Sequence, residues 1–144
     1  MKRPISIIII ILAVALSLWI FKKSATAPVV TPETNPDIRI THITPEENEV
    51  VSFPLIIKGE AKGTWFFEAS FPVEILNDKQ ELVTTGIAQA EEDWMTENFV
   101  PWTVKFDTKP AGLNSTNAFI KFKNDNPSGD PIRDKSFILP IRLR

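Results

Sequence analysis

Apolar and polar residues alternate with a period of two through most of the chain beyond residue 37. The pattern is clearest in three segments, where apolar side chains occupy every second position: 71–75, 102–106 and 139–143. Neighbouring side chains of a strand point to opposite faces, so this spacing predicts half-buried β-strands. Four more segments have a strand-like composition: 38–43, 55–59, 82–88 and 118–123.

The predicted strands are short and are separated by turn signals, such as Asn77-Asp78 and Pro110-Ala111-Gly112. No segment has the spacing of a convincing amphipathic helix. About seven strands predict an all-β fold, an immunoglobulin-like two-sheet antiparallel sandwich over residues 38–144. Since the chain has no cysteine, this domain must rely on a hydrophobic core and not on disulfides.

An uncharged and almost wholly apolar run spans residues 5–21, between Lys2-Arg3 and Lys22-Lys23. A helix of this length would be about 26 Å long, close to the roughly 30 Å hydrocarbon core of a bilayer. The run predicts an N-terminal transmembrane helix, with residues 1–23 as a membrane anchor. A cleaved signal peptide stays open, because Ala25-Thr26-Ala27 offers a small-residue cleavage site.

The segment between the predicted anchor and the predicted domain, residues 24–37, is rich in proline and small residues. This composition predicts an extended, semi-rigid linker. The short segment before the apolar run and the long one after it predict a single-pass protein of the cell membrane with an extracytoplasmic C-terminal domain. Beyond residue 23 the chain has 12 basic and 18 acidic side chains, a formal charge of −6. That balance argues against nucleic acid as a partner.

The inventory of reactive side chains is small: one histidine, no cysteine and no tyrosine. This inventory disfavours nucleophilic triads and zinc sites. We therefore predict that the protein is not an enzyme and has no catalytic residue and no cofactor. A cluster of carboxylates surrounds Trp94, formed by Glu91, Glu92, Asp93 and Glu97. Paired carboxylates can hydrolyse glycosides, so a minimal acid-pair hydrolase stays as a less favoured alternative.

Another group of carboxylates lies in a Pro/Gly-containing loop, at Asp125, Asp130 and Asp134. Oxygen ligands of this kind can bind calcium, but their spacing fits no EF-hand. Asx-turns explain the start of this loop, at Asp125 and Asn126, without a metal. We therefore predict no metal site and keep the three aspartates only as calcium candidates.

The aromatic residues Trp65-Phe66-Phe67 cannot all point inward on one strand, because neighbouring side chains alternate between its faces. At least one of them is expected to meet solvent or a covering loop. Exposed apolar side chains often mark contacts with proteins or carbohydrates. The candidate contact residues are Trp65, Phe66, Trp94 and Met95, and their partner would be an envelope protein or a cell-wall glycan.

Several short motifs, taken in order and spacing, resemble the bacterial spore-germination immunoglobulin-like domain over about residues 38 to 144. The resemblance implies an extracytoplasmic sandwich, often found in envelope proteins, without established catalytic residues. The turn at residues 77–81 departs from the family, which commonly has a glycine there. The motifs are Val51-Ser52-Phe53-Pro54-Leu55, Gly59-Glu60-Ala61, Phe67-Glu68-Ala69, Asp93-Trp94-Met95 with Phe99, Asp125-Asn126-Pro127-Ser128-Gly129 and Ile141-Arg142-Leu143.

Together these features predict a non-catalytic, membrane-anchored immunoglobulin-like module that binds or scaffolds cell-envelope components. One alternative is a module that binds carbohydrate or wall polymer. It would be distinguished by a solvent-exposed Trp65 or Trp94 in a shallow groove. The other is the acid-pair hydrolase, which needs two carboxylates facing each other across a cleft at about 5–10 Å.

Overall fold

The computed structural model describes residues 35–47 and 50–144. The predicted membrane anchor, with its apolar run at residues 5–21, and most of the predicted linker lie outside these residues. The described part contains no helix with the length and apolar character needed to cross a bilayer. It contains seven β-strands and two short 3-10 turns, Gly63–Trp65 and Pro131–Arg133. The strands are β1 (Ile38–Glu47), β2 (Val50–Lys62), β3 (Ser70–Leu76), β4 (Leu82–Ala90), β5 (Phe99–Phe106), β6 (Asn117–Lys123) and β7 (Ser136–Leu143).

All seven strands that the sequence predicts are present, and the all-β class is confirmed. Their order in the sheet is β1-β2-β5-β4-β3-β6-β7, with antiparallel neighbours throughout. A further short parallel pairing joins β2 to β7 through Val50 and Val51. Six strands thus form a closed barrel, and β1 lies outside it along the edge of β2.

The expected separation into two sheets needs correction, because backbone pairing joins all the strands into one sheet, of which six strands close into the barrel. Two short junctions make this closure. At one of them β4 and β5 pair only through Gln89↔Thr103 and Ala90↔Trp102. At the other, β2 pairs with the last residues of β7. Both junctions depend on few residues and long-range contacts, so local alternation in the sequence does not predict them.

The core is built from the alternate apolar side chains of β2, β3, β5 and β6, which are fully or almost fully buried. A row of aromatic rings crosses it, and successive ring centroids lie 5.3–5.9 Å apart. The first two pairs meet edge to face, the third is tilted and the last is stacked, and such ring contacts add to the stabilisation that burial gives. Within the described residues the core holds no buried polar or charged residue. The rings belong to Trp65, Phe71, Trp102, Phe122 and Phe137.

The two ends of the barrel differ in what they carry. We call the end where the described chain begins the proximal end, formed by residues 35–37, 62–69, 91–98 and 124–135. The opposite, distal end carries the turn at 77–81, the loop at 107–116 and Arg144. Because β1, β3, β5 and β7 start at the proximal end and β2, β4 and β6 finish there, the antiparallel order itself gathers these connections.

Candidate interaction site

The proximal end brings together every candidate site residue that the sequence predicts, although they come from three separate connections. Backbone hydrogen bonds join these connections to one another. The N–H of Gly63 donates to the carbonyl of Asn98 at 3.2 Å, and that of Asp125 donates to the carbonyl of Trp65 at 2.9 Å. The segment around Gly63–Trp65 therefore lies between the other two and supports both.

The connection from β2 to β3 buries two of its three aromatic residues. Trp65 is fully buried in the core and Phe66 is 4% exposed, whereas Phe67 is 39% exposed. The predicted contact role of Trp65 is therefore corrected, since a fully buried ring offers no face to a partner. Glu68 and Ala69 adopt φ values of +50° and +61°, a left-handed turn that returns the chain to β3 directly after Phe67.

A groove at the proximal end is lined by two of these aromatic residues and by the loop 124–135. Its cavity volume is about 490 Å³, comparable with the smaller pockets that bind organic ligands. Ile132, on the 3-10 turn of that loop, is 92% exposed and also lines it. Phe66, Phe67 and Ile132 give the groove an apolar character, and residues from Asn124 to Lys135 supply most of the remaining lining.

Side-chain amides hold the loop 124–135 in shape. The Asn124 carboxamide oxygen accepts from the N–H of Lys135 at 2.6 Å, and its amide group donates to the carbonyl of Arg133 at 3.0 Å. The amide group of Asn126 donates to the carbonyl of Asp130 and to Oδ1 of Asp134, both at 2.8 Å. Asparagine side chains that bond to nearby backbone stabilise compact loops. The loop therefore presents Ile132 on a hydrogen-bonded frame.

The calcium candidates Asp125, Asp130 and Asp134 share this loop, but two of their carboxylates serve its own structure. Asp130 accepts from the N–H of Ile132 at 3.1 Å, and Asp134 accepts from Asn126. In the described part of the chain, no group of three or more histidine, cysteine or acidic side chains is arranged to hold a metal ion. The carboxylates of this loop are therefore not arranged as a calcium-binding site in the described residues.

The connection from β4 to β5 carries the acidic cluster and the other two contact candidates. Trp94 is half-buried and packs against the core, whereas Met95 is 76% exposed. The Thr103 hydroxyl donates to the Glu91 carboxylate, and the N–H of Met95 donates to Oδ1 of Asp93 at 3.0 Å. These bonds give two of the four carboxylates a structural partner.

This acidic connection rests directly on Gly63. A Cβ atom at Gly63 would lie 1.9 Å from the carbonyl oxygen of Thr96 and 2.3 Å from that of Trp94. Both distances are far shorter than van der Waals contact, so only glycine allows the two backbone segments to approach this closely. The position of Met95 thus depends on the absence of a side chain at residue 63.

The negative charge of the chain is concentrated at the proximal end. Its four segments hold nine acidic and three basic residues, while the rest of the chain beyond residue 23 holds nine of each. The carboxylate of Asp37 lies 2.7 Å from the Lys135 ammonium and 3.2 Å from that of Lys62. The hydrogen bond from Lys135, assisted by Lys62, lowers the pKa of Asp37 from its ordinary value.

The remaining acidic residues of this end are less well compensated. Arg133, the third cation, lies 4.0 Å from the carboxylate of Asp130. Among the described residues, no lysine or arginine forms an ion pair with a set of five exposed carboxylates. The proximal end therefore carries a net negative charge, although the charged residues that line the groove itself are Asp125, Arg133 and Lys135. The five carboxylates belong to Glu68, Glu91, Glu92, Asp93 and Glu97.

Two exposed apolar residues of the groove escape prediction from the sequence, Phe67 and Ile132. Phe67 lies in the aromatic triplet, and only the 3-10 turn before it decides which of the three rings meets solvent. Ile132 is an isolated apolar residue between Pro131 and Arg133 in a polar loop. An isoleucine that interrupts a polar loop is the feature of the sequence that points to an exposed apolar residue here.

Comparison with known proteins gives a single finding. The family model described as the immunoglobulin-like domain of bacterial spore germination matches residues 38–130. The matched region covers most of the barrel and all of the acidic connection, and it ends inside the loop that carries Ile132. No curated protein matches the chain, and no solved structure matches it.

Proposed function

The chain belongs to the family of immunoglobulin-like domains of bacterial spore germination, and we propose that it is a non-catalytic, membrane-anchored extracytoplasmic module that binds or scaffolds cell-envelope components. The anchoring part of the proposal is supported by the apolar run at residues 5–21 and by its basic flanks. The binding part is supported by the proximal end of the barrel.

The observation that carries the binding role is the apolar groove containing Phe67 and Ile132. A single exposed apolar side chain is common on soluble domains, so the support comes from the grouping of Ile132 with Phe66 and Phe67 in one groove. The loop around Ile132 is already held by the bonds of Asn124 and Asn126. Little ordering entropy therefore remains to be lost when a partner covers it.

A protein partner fits the groove better than a glycan does. Sugar recognition uses many free hydrogen-bonding groups, and here the carboxamides of Asn124 and Asn126 are occupied within the loop. A stacking platform from Trp65 is removed by burial, and Trp94 keeps only part of its ring outside the core. The carbohydrate-binding alternative therefore has less support than contact with an envelope protein.

Hydrolysis by paired carboxylates has little support from this groove. Asp125 is the one carboxylate among the described residues that line it, whereas the acid-pair mechanism needs two across a cleft. The acidic residues 91–97 lie on a neighbouring exposed connection and do not line the groove. A non-catalytic role is thus the simpler proposal.

The direct test is affinity purification of the full-length chain from membranes of cells that express it. We expect wild type and the Leu82→Ser variant to retain the same envelope protein, and Ile132→Ser to lose it. Leu82 is the matched control because it is 60% exposed and lies at the distal end. Equal retention by all three chains would contradict the proposed surface. Retention abolished by glycan digestion would favour the carbohydrate alternative.

A further inference from the structure

We infer that the groove at the proximal end receives a basic, amphipathic segment of a partner protein. The inference rests on the proposed function and specifies the chemistry of its partner. Two features of the described residues carry it: an apolar groove on a preformed loop, and a set of unpaired carboxylates beside it. The groove supplies the contact, and the charge decides which kind of segment can occupy it.

The apolar part of the surface is formed by Phe66, Phe67 and Ile132. They lie in two connections that the bond from Asp125 to Trp65 holds together, and all three line the same groove. Ile132 projects almost wholly into solvent, while Phe66 is nearly covered. A partner side chain that enters between them would meet apolar surface on more than one side. The segment must therefore present apolar residues on one face.

The charged part of the surface is the connection 91–98. This connection packs against the segment around Gly63, which also leads into the groove. Trp94 and Thr96 approach the backbone of Gly63, and Thr64, Phe66 and Phe67 follow directly as lining residues. The exposed carboxylates of this connection have no cationic partner among the described residues. Lysine or arginine residues flanking an apolar face would complement them, because opposite potentials steer association and exclude wrong partners.

The same charge argues against the other occupants of an envelope. Anionic lipid headgroups and polyanionic wall polymers would be repelled by the excess of carboxylates at this end. Two cations line the groove itself, and each already faces a carboxylate: Lys135 lies 2.7 Å from Asp37, and Arg133 lies 4.0 Å from Asp130. A basic protein segment is the occupant that satisfies both the apolar and the charged parts of the surface.

The test measures peptide binding to the full-length chain in phosphatidylcholine nanodiscs. The probe is a fluorescent synthetic peptide in which leucine alternates with lysine. Two matched peptides carry glutamate in place of lysine, or serine in place of leucine, and empty nanodiscs measure binding to lipid alone. We expect the leucine–lysine peptide to bind the protein well above empty nanodiscs and to bind more tightly than both controls. Its affinity should fall as salt is added, because exposed charges are screened.

Variants locate the binding on the surface. Ile132→Ser and Phe67→Ser should each weaken binding by about tenfold or more, the range of a buried apolar anchor. Glu92→Lys should weaken binding and reduce its salt dependence. The matched distal variants Leu82→Ser and Asp78→Lys should bind as wild type. Circular dichroism and the unfolding midpoint of each variant verify that its fold is intact.

The outcomes separate this inference from the proposed function. Equal binding of the lysine and glutamate peptides, or wild-type binding by Ile132→Ser, would overturn the basic-segment inference. If the affinity purification described above still depended on Ile132, the proposed function would stand with a partner of different chemistry. Loss of that dependence as well would remove the groove as a binding surface altogether. Binding of the protein itself to separate vesicles of anionic lipid, lost in Ile132→Ser, would overturn the inference and assign the surface to the membrane.

Discussion

Asp37 and Lys135 are 98 positions apart in the sequence, and their side chains meet at 2.7 Å. Asp37 precedes β1 directly, and Lys135 ends the loop that carries Ile132. The same carboxylate contacts the side chain of Lys62 at the end of β2. The backbone N–H of Lys62 also donates to the Asp37 carbonyl at 2.9 Å. One acidic residue thus ties the start of the barrel to the loop that lines the groove.

Replacement of Asp37 by Asn should lower the free energy of unfolding at pH 7 by about 1 kcal/mol, since a partly exposed ion pair with hydrogen bonds contributes on that order. The effect should depend on pH. Because the pKa of Asp37 is lower in the folded protein than its ordinary value of 3.8, its contribution is complete above that value. It is lost as the pH falls through the folded pKa.

Denaturant unfolding at pH 7 and at about pH 2 measures this difference between wild type and Asp37→Asn. The two unfolding free energies should converge in acid. Asp78→Asn is the control, because Asp78 lies in an exposed distal turn and forms none of the ion pairs of the described part of the chain. A difference that persists unchanged at low pH would show that the ion pair is not the source of the stabilisation.

Gly63→Ala should destabilise the fold by about 1–3 kcal/mol, the usual cost of overpacking. The added methyl group would collide with the carbonyl oxygens of Thr96 and Trp94, so the connection 91–98 must move. The change is measurable as a shifted indole resonance of Trp94 by NMR and as a lower unfolding free energy.

Gly129→Ala serves as the matched glycine replacement for this experiment. No atom lies within 4 Å of a Cβ added at Gly129. Alanine there would lower the free energy of unfolding only through the backbone strain of its φ of +67°, by about 1 kcal/mol. The Trp94 resonance should stay in place in this variant. An unshifted Trp94 in Gly63→Ala would contradict the close packing of the two connections.

Gln80→Gly should stabilise the protein by about 0.5–1 kcal/mol, because glycine adopts positive φ without the strain that a side chain incurs. Gln80 has a φ of +61° in the turn between β3 and β4. Lys79→Gly, at a neighbouring position without positive φ, should instead destabilise by about 0.5–1 kcal/mol. Thermal unfolding of both variants checks the sign, and destabilisation by Gln80→Gly would refute the assignment of strain.

Asn126→Ala should loosen the loop 124–135, because it removes the bonds to Asp130 and Asp134 and the one from Ser128. We expect amide hydrogen exchange in this loop to rise by roughly tenfold, equivalent to about 1.4 kcal/mol. The distal strands should keep their protection. Asn114→Ala, at an exposed distal position, should leave exchange in the loop unchanged. Unaltered exchange in Asn126→Ala would mean that the loop is held by other contacts.

The strands of this fold are predictable because alternation of apolar residues is a local property of the sequence. The closure of the barrel is not, since it depends on only two residue pairs at each of its two junctions, β2 with β7 and β4 with β5. The site shows the same division. The sequence shows Trp65 and Phe67 in one aromatic triplet. The 3-10 turn at Gly63–Trp65 then sets the backbone direction that buries Trp65 and exposes Phe67. Convergence of three connections at one end follows from the strand order and not from any motif.

The turn at residues 77–81 shows how a missing glycine is accommodated. The side-chain oxygen of Asn77 accepts from the N–H groups of Lys79 and Glu81, at 2.9 and 3.0 Å. These bonds form an Asx-type turn in which Gln80 takes the left-handed position. The sequence alone indicates a turn here, whereas its hydrogen-bonding pattern needs the three-dimensional arrangement.

Position-specific photocrosslinking in intact cells tests the central claim most directly, that the proximal groove is where this module contacts its partner. A photoreactive amino acid would replace Ile132 in one full-length chain and the exposed distal residue Leu82 in another. The account predicts a discrete protein adduct from position 132, lost when Phe67 is also changed to Ser, and none from position 82. An adduct from position 82 alone, or no adduct from position 132, would contradict it.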